Sequence, residues 1–203
     1  MPKHFLSRSE ASGPPPRREG RFETHLGRFL RDETGAAFAM EVILFSGLMA
    51  FTCMMLFAYW EAYRIRSTAG NATYVISDMI SREGAPINDL YITGMGRVFN
   101  YVTNAGGERT YIRVTSMDYR SVGDRYRVLW SRTTDASRAP RLVDEDLEVI
   151  RATAIPNLED GAALILVETW REFYPAFKVG LEPRTFYSRQ FMLPRFISPL
   201  PIS

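Results

Sequence analysis

The sequence predicts an α+β protein: a single N-terminal transmembrane helix extends into a longer helix that packs on a small antiparallel sheet. Three observations predict it. Residues 36–60 are apolar with one charge, Glu41. Apolar residues then continue at helical spacing as far as Ile80. Beyond residue 104, alternating or continuously apolar runs are separated by turn residues, the pattern of short strands.

The apolar stretch organises the chain. As a helix rising 1.5 Å per residue it is about 37 Å long, enough for a hydrocarbon core of roughly 30 Å. Nine of its residues are Phe, Leu, Ile or Val, and no Pro interrupts it. Each of the nine favours insertion by about 0.3–0.6 kcal/mol, and a central charge opposes it by about 2.5–3.5 kcal/mol. Glu41 lies near one end, where the cost is smaller, so insertion wins. Ser46, Gly47 and Ala50 are small residues at which a second helix could approach.

The 203-residue chain has room for one modest domain beside this span. Its 25 basic and 23 acidic residues are interspersed and give a net charge of +2. No basic patch forms, so nucleic-acid binding is not expected. Cys53 is the one cysteine, and His4 and His25 are the two histidines, both before the span. The larger, C-terminal part therefore lacks the residues for Ser-His-Asp or Cys-His catalysis and for the usual zinc sites. No cofactor, metal or small-molecule substrate is expected, and the chain reads as a non-enzyme.

Residues 1–35 read as a disordered, basic, cytoplasmic leader. Gly13-Pro14-Pro15-Pro16 carries no packed core. Lys3, Arg8, Arg17, Arg18, Arg21, Arg28 and Arg31 precede the span, against Arg64 and Arg66 just after it. This asymmetry puts the leader in the cytoplasm and residues 61–203 outside. A secretory signal has a shorter apolar core, about 7–15 residues, followed by an Ala-x-Ala site. Neither is seen here, so residues 36–60 are expected to remain as a membrane anchor.

Beyond the span, Ile65, Ala69, Ala72, Val75, Ile76, Met79 and Ile80 extend the helix to about residue 83. Tyr59, Trp60 and Tyr63 make an aromatic belt at the interface, and Gly84-Ala85-Pro86 stops the helix. Asn88-Asp89 caps a second helix to about Val102, with Leu90, Met95, Val98, Phe99 and Val102 inward. Asn104 to Gly107 form a turn. Strands are expected at 111–117, 126–130, 162–170 and 185–192, with a turn at 121–124, a loop at 135–140 and a short helix at 142–152. The tail, 191–203, carries Pro194, Pro199 and Pro201 and cannot be helical. It runs extended across the sheet or serves as a docking strand for a partner.

Asp144, Glu145, Asp146 and Glu148 cluster at the start of the short helix. The Gly and Glu of a calcium-binding EF-hand loop are missing, and acids near a helix start are favoured by its dipole. An enzyme would have to use carboxylates, Ser, Lys or Tyr alone, and Glu145/Glu148 and Glu168/Glu172 are the pairs to test.

The run Arg28-Phe-Leu-Arg-Asp-Glu-Thr-Gly-Ala-Ala-Phe-Ala-Met-Glu-Val42 resembles the start of TadE/TadG-like pseudopilins of the Tad (Flp-type) pilus assembly machinery. The resemblance covers residues 28–85 well and the remainder loosely. It implies a pilin-like long helix on a sheet, an inner-membrane location with the C-terminal domain periplasmic, and a role in pilus assembly, secretion and adhesion. The implied partners are other Tad pilus proteins and pseudopilins, membrane lipid and a prepilin peptidase. In the family a Glu stands fifth in the processed chain. Counting back from Glu41 makes Ala37 the first residue and Ala36 the residue before the cut. The usual Gly is Gly35, one place early, and a cut after it makes Glu41 the sixth residue.

An ionisable group in lipid calls for a partner. The terminal ammonium of a processed neighbour would pair with Glu41 and fix subunit register, whereas an isolated Glu41 would be protonated or bend toward the headgroups. Two other functions are carried alongside: a minor pseudopilin of a type II secretion or type IV pilus machine, and a membrane-tethered periplasmic sensor or interaction protein. The former normally carry Phe first and Thr-Leu-Ile-Glu after Gly. Phe38-Ala-Met-Glu41 departs from that.

Overall fold

The computed structural model describes residues 27, 33–106, 109–151, 155–156 and 158–202. Most of the leader therefore lies outside the described residues, as do Gly107 and Ala152, the expected ends of a turn and a helix. Helix α1 spans Glu33–Ser81, 49 residues. It starts three residues before the expected 36 and stops two before 83. The backbone N–H groups of Arg82 and Glu83 close its last turn on Met79 and Ile80. The chain divides into two compact units, Met1–Phe51 and Thr52–Ser203.

In the first unit, Phe38, Met40, Ile43, Leu44, Phe45, Leu48 and Met49 are all exposed. Such a helix is long and apolar enough to cross a membrane. Among the described residues these apolar side chains stay exposed, which fits lipid as their solvent.

The second unit is built on a four-stranded antiparallel sheet. β1 (Thr110–Arg120) pairs with β2 (Arg125–Thr133) and β3 (Ala163–Phe173), and β3 pairs with β4 (Arg184–Met192), in the order β2-β1-β3-β4. All four strands were expected, and each is longer than its apolar run. Helix α2 (Asp89–Val102) is capped by Asn88, whose Oδ1 accepts from the Tyr91 N–H at 2.8 Å. Helix α3 covers Asp144–Arg151.

One face of the sheet holds the main core. Ala69, Ala72, Ile76 and Ile80 of α1 and Ile92, Met95 and Phe99 of α2 close over Ile112, Val114, Trp130, Ile165 and Val167. Small and hydroxylic residues let α1 approach closely. Thr73 Oγ1 and Thr169 Oγ1 stand 2.6 Å apart, and both are buried. Val75 and Met79, which share the apolar spacing that extends the helix, are exposed, because the buried stripe runs through Thr73, Ser77 and Ser81.

The inward face of α2 also differs from expectation. Leu90 and Val102 are exposed, and Ile92 takes the inward place. The reason is Gly96: a Cβ there would lie 3.0 Å from the Thr134 methyl. This close approach turns the line Ile92–Met95–Phe99 toward the sheet.

The tail packs on its own domain. The Arg195 N–H donates to the Ser81 carbonyl, and Trp130 Nε1 donates to the Leu200 carbonyl at 2.9 Å. Leu200 joins the main core, and Ile202 forms an isolated parallel bridge with Ile87.

The opposite face carries a second core of Met117, Tyr126, Leu142, Leu147, Leu164 and Leu166 under α3. An exposed clasp closes its rim. The Asp124 carboxylate accepts from the Tyr119 hydroxyl at 2.7 Å and from Arg151 at 2.6 Å, and Asp160 accepts from the Ser121 N–H at 2.7 Å. These bonds hold both carboxyls below their ordinary 3.8, through Tyr119 and then Arg151 for Asp124, and chiefly through the Ser121 amide for Asp160. A depressed folded pKa stabilises above the ordinary value and is lost as pH falls through the folded one. The β1–β2 turn is therefore expected to loosen below about pH 4, intact at neutral pH. Carboxyl titration by NMR checks this, and an Asp124 midpoint at or above 3.8 would contradict the clasp.

Candidate functional site

Two regions hold the residues singled out by sequence. The first is the start of α1. Gly35, Ala36 and Ala37 lie in its first two turns, already helical. Cleavage at either proposed bond would need that turn to unwind, since a peptidase reads an extended backbone. Glu41 lies on a stripe with Phe38, Val42, Phe45, Ser46 and Met49. This is a carboxylate set in an apolar surface, suited to pairing with a cation on a neighbouring chain.

The second region is the sheet face away from α1. Antiparallel pairing sets Arg113 of β1 opposite Glu168 of β3, and Glu168 opposite Arg189 of β4. The Arg113 Nε donates to Glu168 Oε2 at 2.6 Å, and the Tyr187 hydroxyl donates to Glu168 Oε1 at 2.7 Å. Arg113 also donates to the Pro140 carbonyl at 2.6 Å, and its guanidinium stands 5.2 Å from the Trp170 ring centre. Glu168 is 2% exposed and Arg113 8%. Beside them Tyr111, Trp170 and Tyr187 form a cross-strand aromatic row, with centroids 5.1 and 5.3 Å apart. Burial, and next the Glu168 charge, push the Tyr187 hydroxyl well above the usual tyrosine range.

This arrangement does not read as an acid–base pair. Both oxygens of Glu168 are engaged. Glu172 lies four residues on along β3, roughly 13 Å away along the strand. It is held separately, by Arg138 at 3.1 Å and the Tyr174 hydroxyl at 3.0 Å. Glu145 and Glu148 are both exposed on α3, with Glu148 4.0 Å from Arg151. Asp144 accepts from the Val128 N–H, and Asp146 caps α3 through the Val143 N–H. Among the described residues, no three His, Cys, Asp or Glu side chains come together as a metal site would require.

The ion pair chemically fixes register: it ties β1, β3, β4 and the loop at Pro140 together. Sequence reasoning singled out Glu168 but not Arg113 or Tyr187. The available signal was Arg113 alternating with Thr115 and Met117 on an otherwise buried face. Its partner depends on strand pairing, which no local pattern discloses. No protein-family model, curated protein or solved structure matches this chain.

Proposed function

We propose that this protein is a non-enzymatic, membrane-anchored pseudopilin or assembly subunit of a Tad-type pilus. In this reading α1 lies in the bacterial inner membrane, the leader is cytoplasmic and the sheet domain is periplasmic. The chain works through helix packing in lipid and through contacts of the domain outside, with other pilus proteins as partners. The observation that carries the reading is α1 itself: one 49-residue helix, apolar and uncovered in its first half, whose second half packs on an antiparallel sheet. The resemblance of residues 28–42 to the family's junction, with its acid early in the apolar run, adds to it. The Arg113–Glu168 clamp serves rigidity, as suits a subunit that bears load rather than turns over substrate.

Glu41 supplies the test. Glu41→Ala removes a charge from lipid, so membrane insertion is expected to be unchanged or improved. Co-purification of the full chain with the other pilus components is expected to fall at least tenfold, and surface fibres should be lost. Undiminished co-purification and normal fibres would overturn the role given to Glu41. Fibres that persist after deletion of the whole gene would overturn the assembly function. Sequencing the amino terminus of the membrane-extracted protein separates a start at Ala36, at Ala37 or upstream.

A further inference from the structure

We propose that the ten-residue loop 174–183 between β3 and β4 is a second membrane-contacting element, seated in the lipid headgroup region beside α1. This rests on the reading that α1 crosses the membrane.

The loop is fixed to α1 at two levels. At its base, Phe173 and Leu181 are buried against Ile65 of α1, with Phe186 packed alongside. At its tip, Phe177 meets Phe57 of α1 edge-on, with centroids 6.3 Å apart. Ile65 and Phe57 are eight residues apart, about 12 Å along the helix. The loop thus runs down α1 from the domain toward the apolar segment. Ala58, beside Phe57, is fully buried on a helix whose Phe57, Tyr59 and Trp60 stay exposed.

The depth follows from the interfacial aromatics of α1, which sit at headgroup level. Phe57 therefore marks the boundary, with Tyr59, Trp60 and Tyr63 just above it and Arg64 stacked on Trp60 at 5.5 Å. A side chain touching Phe57 shares its depth. The loop's tip matches that place: Phe177 is an exposed aromatic, and Lys178 is an exposed cation. Aromatic rings at headgroup level with a cation near phosphate form the usual interfacial anchor. Arg64 and Arg66 of α1 add positive charge nearby, complementary to lipid phosphate. In water the same exposed Phe177, continuous with the exposed apolar face of α1, would have no favourable solvent.

The test uses the full chain in phospholipid nanodiscs, with Cys53→Ser removing the native thiol. A nitroxide is attached through Phe177→Cys, and separately through Met49→Cys and Val122→Cys. Collisions with oxygen and with a water-soluble nickel chelate report depth. Positions 49 and 177 are expected to favour oxygen, and position 122, on the β1–β2 turn, to favour nickel. A water-like ratio at 177 with a lipid-like one at 49 overturns the loop proposal and leaves the span standing. A water-like ratio at 49 overturns the span and the proposal with it.

Discussion

Arg113→Met is expected to destabilise the sheet domain by about 3–5 kcal/mol, because it strands the Glu168 carboxylate in a buried site. Glu168 is 2% exposed, and of its two hydrogen bonds only that from the Tyr187 hydroxyl remains, satisfying one oxygen. The Pro140 carbonyl loses its donor as well, which frees the loop leading to α3. Denaturant unfolding of the full chain in detergent, followed by near-ultraviolet circular dichroism, measures the change. The row Tyr111–Trp170–Tyr187 beside the pair makes that signal local. The double variant Arg113→Met with Glu168→Leu removes both charges and is expected to recover a large part of the loss. Tyr187 is half-exposed and then turns to water. A loss below about 1 kcal/mol in the single variant would mean that the pair behaves as a surface ion pair.

Charging the apolar face of α1 is expected to have the largest effect on the membrane. Phe45 and Met49 stand one turn apart on the same stripe, both exposed. A central Arg costs about 2.5–3.5 kcal/mol, and Phe45, nearer the edge, somewhat less. Phe45→Arg with Met49→Arg should therefore cost about 5 kcal/mol, several thousandfold in the insertion equilibrium. The expected result is loss of the chain from carbonate-washed membranes, whereas Phe45→Leu with Met49→Leu is retained. Full retention of the doubly charged variant would mean that the stripe faces something other than lipid.

Much of this fold was legible because its signals are local. The apolar run, the helical spacing to Ile80 and the Asn88 cap each lie within a few residues. Leu90 and Val102 misled because periodicity alone allows two neighbouring faces of α2, and the choice depended on Gly96 meeting Thr134, 38 positions away. Arg113 and Tyr187 were hidden for the same reason: they meet Glu168 only through register. The loop 174–183 reads as an ordinary connection between strands, and its meaning comes from lying against Phe57. Glu41 was legible without any structure, since a carboxylate in an apolar run is conspicuous by composition.

Lys178 has a practical consequence. Lysine occurs only at Lys3 and Lys178, all other basic residues being arginine. A lysine-specific protease can therefore nick the head at a single bond, at the loop's tip. The cut releases no mass at once, since the piece beyond Lys178 still contains the edge strand β4 and the core residue Leu200. The head becomes a two-part assembly in which a synthetic strand can compete for the vacated place, and a bilayer that shields the bond would slow the exchange.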